Sequence, residues 1–366
     1  MKNKESFVKG AFYIAALLVV AGIILLIWSF RPEAKKEGIS VGAVFIGAAD
    51  DNGWNQSHYE GILAACERNS AGFHARMNVP EEEEAVKEAV AALAAEGCSC
   101  IFLTSYGYGA WLDTIARAYP KIAFYCISGE EEAENSSTYF GRDYQVRYLS
   151  GIVAGAATKS GILGYVTAMP MPETIRSINA YAMGARMSDP SAKLLVYYTG
   201  SWDDREAEEQ AVRELKAAGA DVLTYHEDKT YSIDLADELG LYTTGYDYVS
   251  GEYSERFLTA ALINWDMMYD RVLSDFLSGR ANFENDYWLG LPDGAVSLYP
   301  CSNLVTDETK QLVEAEKQRI CTQRDVFSGE IRDNAGQERC TAEERIGDDE
   351  LFNHIDWYAE GVEIYE

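Results

Sequence analysis

The sequence predicts an α/β protein with two doubly wound lobes, each a parallel sheet flanked by helices. Two observations carry this prediction. Apolar strand-like runs alternate with helix-patterned runs from about residue 40 to residue 247, the signature of a parallel sheet with helices on both faces. These units are too many for one compact sheet, and a chain of 366 residues is long enough for two ordinary domains.

In the first set, "ISVGAVFIG" reads as a strand and Asn55 to Glu67 has helical spacing. "GFHARMNV" is the second strand. "PEEEEAVKEAVAALAAEG" is a helix with Pro80 at its start, acids in the first turn and Gly97 at its end, each where helix termini favour them. The run Glu81 to Glu84 therefore reads as a helix-dipole feature and a solvated face. "CSCIFLT" and "KIAFYCIS" are the third and fourth strands.

The second set opens near Gly141 with the helix "RDYQVRYLSGIVAGAAT", whose small residues permit close packing. Strands "GILGYVTA", "AKLLVYYTG", "ADVLTYH" and "LYTTGYD" then alternate with helices "PETIRSINAYAMGARMS", "DREAEEQAVRELKAAG" and "YSIDLADELG". Beyond them, "FLTAALI" reads as a strand and "NWDMMYDRVLSDFLSG" as a helix ended by Gly279. Pro292-Asp293-Gly294 has turn chemistry, as in a hairpin. The tail from Asp325 is polar and is expected to wrap the outside. The expected division is residues 1–37 as a leader, 38–141 plus about 248–300 as the first lobe, and 142–247 plus about 301–366 as the second.

Ala11 to Phe30 contains no charged residue and is long enough to cross a bilayer as a helix. Lys2, Lys4 and Lys9 precede it and favour a cytoplasmic N-terminus, an orientation that Arg31, Lys35 and Lys36 weaken. Trp28-Ser29-Phe30-Arg31-Pro32 makes a poor cleavage site, so the expectation is a membrane anchor, with a cleaved signal as the alternative. Either places the body of the protein outside the cytoplasm.

The formal net charge of −28 repels phosphate backbones and anionic ligands, which argues against nucleic acid as a partner. Seven cysteines are too few and scattered for a disulfide scaffold, and Cys98 and Cys100 on one strand read as buried small apolar residues. Four histidines, His58, His74, His226 and His354, lack metal-ligand spacing. A dinucleotide fingerprint is absent, because Leu112 stands where a third glycine after Gly107 and Gly109 belongs. No cofactor, metal or catalytic constellation is expected.

Open α/β sheets bind ligands beyond the carboxyl ends of their strands. That rule selects the loops "AADDNGWN", "TSYGYGAW", "SGEEEAENSS", "AMPMPE", "TGSWDD", "HEDKTY" and "YDYVSGEY", several of which set aromatics beside polar groups, as a planar ligand requires. The candidate ligand residues are Asp50, Asp51, Trp54, Asn55, Tyr59, Tyr106, Trp202, His226, Asp228 and Asp247. The acids before the first helix could also cap it. Tyr59 shares a helix face with Asn55 and precedes Ile62 and Leu63 at core spacing, so a packing role stays open. Trp202 sits in a loop before an acidic helix start, where an aromatic points to function.

Several segments resemble the basic membrane protein family of solute-binding proteins, the group that includes the purine-nucleoside receptor lipoproteins. They are "DDNGWNQSHYEG", "FGRDYQVRYLSGIVAG", "GYVTAMPMPETIRSINAYAMGAR", "GSWDD" with "AAGADVL", "WLGLPDGAVSLYP" and "HIDWYAEGV". Their order spans about Ser40 to Val362. The resemblance implies a type I periplasmic-binding fold with two lobes, three crossings and a ligand in the cleft. It implies an extracytoplasmic receptor that hands a nucleoside or nucleobase to an ABC transporter permease, without catalysis. Tyr59 matches the first ring-stacking position and Trp202 the second. Asp50, Asp51 and Asn55 match polar positions, and Asp247 an acidic one. The loop with His226, Asp228 and Lys229 departs from the glycine-rich loop of the nucleoside receptors, and Trp265 stands near where those carry a lysine. Hinges are expected near Gly141 to Asp143 and Tyr246 to Ser250. Rival readings are a membrane-anchored sensor of the same fold and an enzyme acting on nucleosides through Asp50 or Asp51.

Overall fold

The computed structural model describes residues 38–127, 133–249, 253–281, 283 and 286–365. The predicted membrane segment Ala11 to Phe30 lies outside them. Among the described residues no helix is long and apolar enough to cross a membrane. Ser40–Glu366 forms one compact unit.

The first sheet holds six parallel strands in the order β11-β5-β4-β3-β1-β2. They are β1 (Ser40–Val44), β2 (Gly72–Arg76), β3 (Cys98–Leu103), β4 (Ala123–Cys126), β5 (Ser136–Gly141) and β11 (Tyr287–Leu289). β4 and β5 are buried throughout, as strands covered on both faces must be. Helices α1 (Trp54–Arg68), α2 (Glu83–Ala95) and α3 (Leu112–Ala118) fill the connections. Cys98 and Cys100 of β3 are buried free thiols, as the sequence suggests.

The second sheet runs β12-β10-β9-β8-β6-β7-β15. Its strands are β6 (Ile162–Thr167), β7 (Lys193–Tyr198), β8 (Val222–His226), β9 (Tyr242–Tyr246), β10 (Phe257–Ile263), β12 (Val296–Leu298) and β15 (Val362–Ile364). Only β12 is antiparallel to its neighbour. Around it lie α4 (Asp143–Ala157), α5 (Pro172–Ser188), α6 (Arg205–Ala217), α7 (Tyr231–Glu238) and α9 (Asp307–Thr322). In the tail, β13 (Ile331–Arg332) and β14 (Glu338–Cys340) form a small ribbon.

The chain crosses between lobes three times. It leaves the first lobe at Gly141 to Asp143, where β5 gives way to α4. It returns at Asn264, because β10 stays paired to β9 and the next helix, α8 (Trp265–Leu277), packs on α1. It crosses again between β11, paired to β5, and β12, paired to β10. This corrects the expected boundaries near 248 and 301. Tyr246 ends β9 and Asp247 to Val249 follow it, and its neighbour β10 lies in the same sheet, so they are no crossing hinge; Ser250 lies outside the described residues. The turn at Pro292-Asp293-Gly294 likewise joins two sheets and closes no hairpin. Arg142 N donates to Leu289 O (2.7 Å) and Asn264 N to Ala295 O (2.8 Å), which ties the crossings together.

α4 and α5 pack closely because glycines face carbonyl groups. A Cβ on Gly184 would lie 2.0 Å from Tyr148 O, and one on Gly151 would lie 2.2 Å from Tyr181 O. Gly184→Ala is therefore expected to lower unfolding free energy by about 1–3 kcal/mol, the usual cost of overpacking. Denaturant unfolding checks this, and an unchanged midpoint and slope would show that the pair repacks freely.

Candidate functional site

A cavity lies between the lobes at the carboxyl ends of both sheets. From the first lobe its wall takes Ile46, Trp54, Glu81, Ser105, Tyr106 and Ile127. From the second it takes Glu173, Trp202, His226, Glu227, Asp228 and Tyr246. Its volume is about 60 Å³ on a scale where one water needs about 10–15 Å³. That is space for a few waters.

The edge of this cavity is closed by contacts between the lobes. Trp54 N, at the start of α1, donates to Asp228 O (3.1 Å). Lys229 Nζ lies 2.9 Å from Asp51 Oδ2. Gln56 Nε2 donates to Tyr248 Oη (2.8 Å). Asp247 accepts from Ser57 Oγ and from Trp265 Nε1, each at 2.7 Å. Gly53 is required here by space alone, because a Cβ would lie 1.9 Å from Asp228 O.

The rings of the wall are held from behind. Trp54 Nε1 donates to Thr104 O (2.8 Å), which fixes one indole. Trp202 lies beside His226, with ring centroids 6.1 Å apart. His226 packs on Tyr246 at 4.1 Å, and the Arg147 guanidinium sits 3.9 Å from the Tyr246 ring centre. Arg147 is fully buried, and its Nη2 donates to Tyr225 O (2.9 Å).

His226 is buried with Nε2 3.4 Å from Glu173 Oε1 and Nδ1 3.3 Å from Tyr165 Oη. Burial, aided by the charge of Arg147, holds its pKa well below the usual histidine range, so the ring is neutral and its contact with Glu173 is no ion pair. Burial raises the Glu173 pKa, and Arg176 and Arg147 oppose this. Burial also raises the carboxyl pKa of Asp228, with Asp51 adding to the effect. Among the described residues, no group of three or more His, Cys, Asp or Glu side chains could hold a metal ion.

Of the candidate ligand residues, Trp54, Tyr106, Trp202, His226 and Asp228 line this one cavity, with Tyr106 exposed at the rim. Other candidates fall elsewhere. Asp50 is exposed. Asp51 caps α1, accepting from the N–H groups of Gly53, Asn55 and Gln56. Burial opposes its ionisation, but hydrogen bonds from Asn55, Lys229 and Gln56 keep its pKa below the usual value. Asn55 is buried between Gly47 N and Asp51, so it braces the loop.

The expectation for Tyr59 is corrected. Its ring packs 6.0 Å from Phe45 and 5.5 Å from Phe73, on the face of α1 that covers the first sheet. Asp247 is bonded to Ser57 and Trp265 in a latch outside the cavity wall. Glu81, Glu173, Glu227 and Tyr246 were not singled out from the sequence, although each except Glu81 lies in a loop or strand end that the carboxyl-end rule selects. Glu81 turns from its helix start toward the cavity mouth, where it accepts from Ser105 Oγ and Gly107 N (both 2.6 Å).

A family model for PnrA-like ABC transporter substrate-binding proteins, named Bmp, matches residues 39–327. A purine-binding protein of Brucella abortus is 30% identical over 332 residues, covering 90% of this chain and 94% of that protein. A Haloferax volcanii protein named for ABC transport and glucose binding is also 30% identical, over 336 residues, covering 90% and 82%. Among solved structures, a transcriptional activator of the comK gene from Bacillus halodurans has a TM-score of 0.69 at 23% identity, over 78% of this chain and 98% of that one. An ABC transporter solute-binding protein from Aeropyrum pernix has a TM-score of 0.66 at 19% identity, over 78% and 91%. The architecture is that of periplasmic solute-binding proteins.

Proposed function

Since the chain belongs to the Bmp family of PnrA-like ABC transporter substrate-binding proteins, we propose that it binds an uncharged nucleobase or nucleoside, purine-like in shape, by closing its two lobes over the ring. Solute-binding proteins of ABC transporters bind small molecules and deliver them to a permease, and an extracytoplasmic location fits the family. In this reading Ala11 to Phe30 anchors the receptor, and no reaction is catalysed.

The observation that carries the ligand assignment is that each lobe contributes one tryptophan, Trp54 and Trp202, to a single small cavity. An aromatic base gains about 1–3 kcal/mol from stacking on such a ring. Beside the two tryptophans the wall sets the carboxyls Glu81, Glu173, Glu227 and Asp228 and the polar groups of Ser105, Tyr106, His226 and Tyr246, which suits a flat ring with a hydrogen-bonding edge. A hexose presents hydroxyls all around its rim, and each would need a partner. Among the described residues the wall holds no lysine or arginine to meet a phosphate, so a nucleotide fits less well than a nucleoside or base.

Trp202→Ala is expected to weaken adenine or adenosine binding by about 1–3 kcal/mol, roughly 5- to 150-fold, while the melting temperature of the ligand-free protein changes little. Titration calorimetry on both proteins checks this. Equal affinities would remove Trp202 from the site and leave the ring-stacking reading without its second face.

A further inference from the structure

Glu227 is 4% exposed, stands in the cavity wall, and has one oxygen, Oε2, without a hydrogen-bond partner among the described residues. Its other oxygen, Oε1, lies 2.9 Å from Thr199 Oγ1. Thr199 Oγ1 is also 2.8 Å from Ser201 O. A threonine hydroxyl has one hydrogen to give, so it cannot serve both acceptors well. One arrangement satisfies all three groups. Glu227 carries a proton on Oε1 and donates it to Thr199 Oγ1, whose own hydrogen goes to Ser201 O. That leaves Oε2 as a buried carbonyl oxygen with free lone pairs on a residue of the cavity wall.

The surroundings agree. Burial and then the nearby carboxyls Glu208, Asp228 and Asp203 raise the Glu227 pKa well above the usual glutamate range, against the pull of Thr199. The other buried carboxyl oxygens that lack partners, on Asp143 and Glu208, belong to residues outside this wall. A buried acceptor left unmet costs stability, and a ligand hydrogen is what would meet it.

We propose that Glu227 determines specificity by reading the edge of the ligand, its Oε2 accepting a hydrogen from a ring N–H or an exocyclic amino group of an uncharged base. The inference rests on the nucleobase reading above. It predicts that bases lacking such a hydrogen are rejected, because Oε2 would be buried against them unpaired.

The test measures affinities of the full chain, Glu227→Gln and Glu227→Leu for adenine and for 6-dimethylamino-9-methylpurine, which has no N–H. The wild type should prefer adenine by on the order of 10- to 100-fold. Glu227→Gln should keep that preference within about threefold, since its amide can donate to Thr199 and accept from the ligand. Glu227→Leu should lose most of it and, without ligand, melt no lower than the wild type, since an unpaired buried carboxyl is gone. If the wild type binds adenine but does not discriminate, or if Glu227→Leu discriminates as well as the wild type, the inference about Glu227 is wrong while the nucleobase reading stands. A Glu227→Gln variant as weak as Glu227→Leu would also overturn it, because an ionised carboxylate facing a cation would then be at work. If the wild type binds no base or nucleoside, the nucleobase reading fails and takes this inference with it. Even if a variant does not fold, a wild type that binds both purines equally overturns the inference.

Discussion

Replacing Gly53 by valine is expected to keep the lobes from closing and to weaken ligand binding by about 3 kcal/mol or more, the upper range of overpacking costs. A Cβ at this position would stand 1.9 Å from Asp228 O and 3.6 Å from the Lys229 Cα, so the obstacle is backbone from the other lobe. The Gly53 backbone itself has φ −161°, an extended conformation that any residue adopts. The substitution should therefore leave each lobe folded and act only on their approach. Small-angle scattering separates the two effects. With saturating ligand the wild type should contract and the Gly53→Val variant should not, while their denaturant midpoints agree. A variant that contracts and binds like the wild type would show that the contact between Gly53 and Asp228 is not part of the bound state.

The second large effect is expected at Asp247. This buried carboxyl at the end of β9 is held by Ser57 from α1 and Trp265 from α8, so one side chain of the second lobe joins two helices of the first. Asp247→Ala strips the partner from the buried Trp265 N–H, while the Ser57 hydroxyl can still donate to Trp54 O at 2.8 Å. At about 1–3 kcal/mol for a group left unmet, the closed state should lose roughly 1–3 kcal/mol.

Asp247 also sets a pH dependence. Burial raises its pKa to about 7, against the hydrogen bonds from Ser57 and Trp265. An acid whose pKa is raised in the closed state holds its proton more tightly there than when solvated. Its contribution to closure is complete below about pH 4, near the solvated value, and is lost as pH rises through about 7. Ligand affinity should therefore fall between pH 5 and pH 8. Asp247→Asn should flatten that fall and keep binding, because its amide can donate to Ser57, whose hydroxyl also lies 2.8 Å from Trp54 O, while its carbonyl accepts from Trp265. A wild-type affinity that rises with pH over this range would contradict the assignment.

Much of this fold was legible in the sequence because alternating apolar patterns report local periodicity and burial together. The strand β5 was missed because Ser136, Ser137 and Thr138 are polar, yet they are fully buried between β4 and β11. The residues of β10 read as a strand, but nothing in them says which sheet it joins. Its place is set by pairing with β9.

The site was legible in part for the same reason. Trp202 and Asp228 stand in loops that the sheet topology sends to the cleft, and Trp54 and His226 stand at the helix start and strand end that border such loops. Tyr59 lies on a helix with two occupied faces, and spacing alone does not tell the cleft face from the face that meets Phe45 and Phe73. Glu173 and Glu227 resemble the many solvated acids of a chain with net charge −28. Only burial in the folded chain sets them apart. The place of Asp247 after a strand does not reveal its two partners, because they come from helices of the opposite lobe.

The central claim is that the two lobes close over an uncharged base or nucleoside. Calorimetric titration of the purified chain with adenine, adenosine and glucose tests it most directly. The account predicts saturable binding of a base or nucleoside, one molecule per chain, and no saturable heat with glucose. Saturable glucose binding with no response to either purine compound would contradict it.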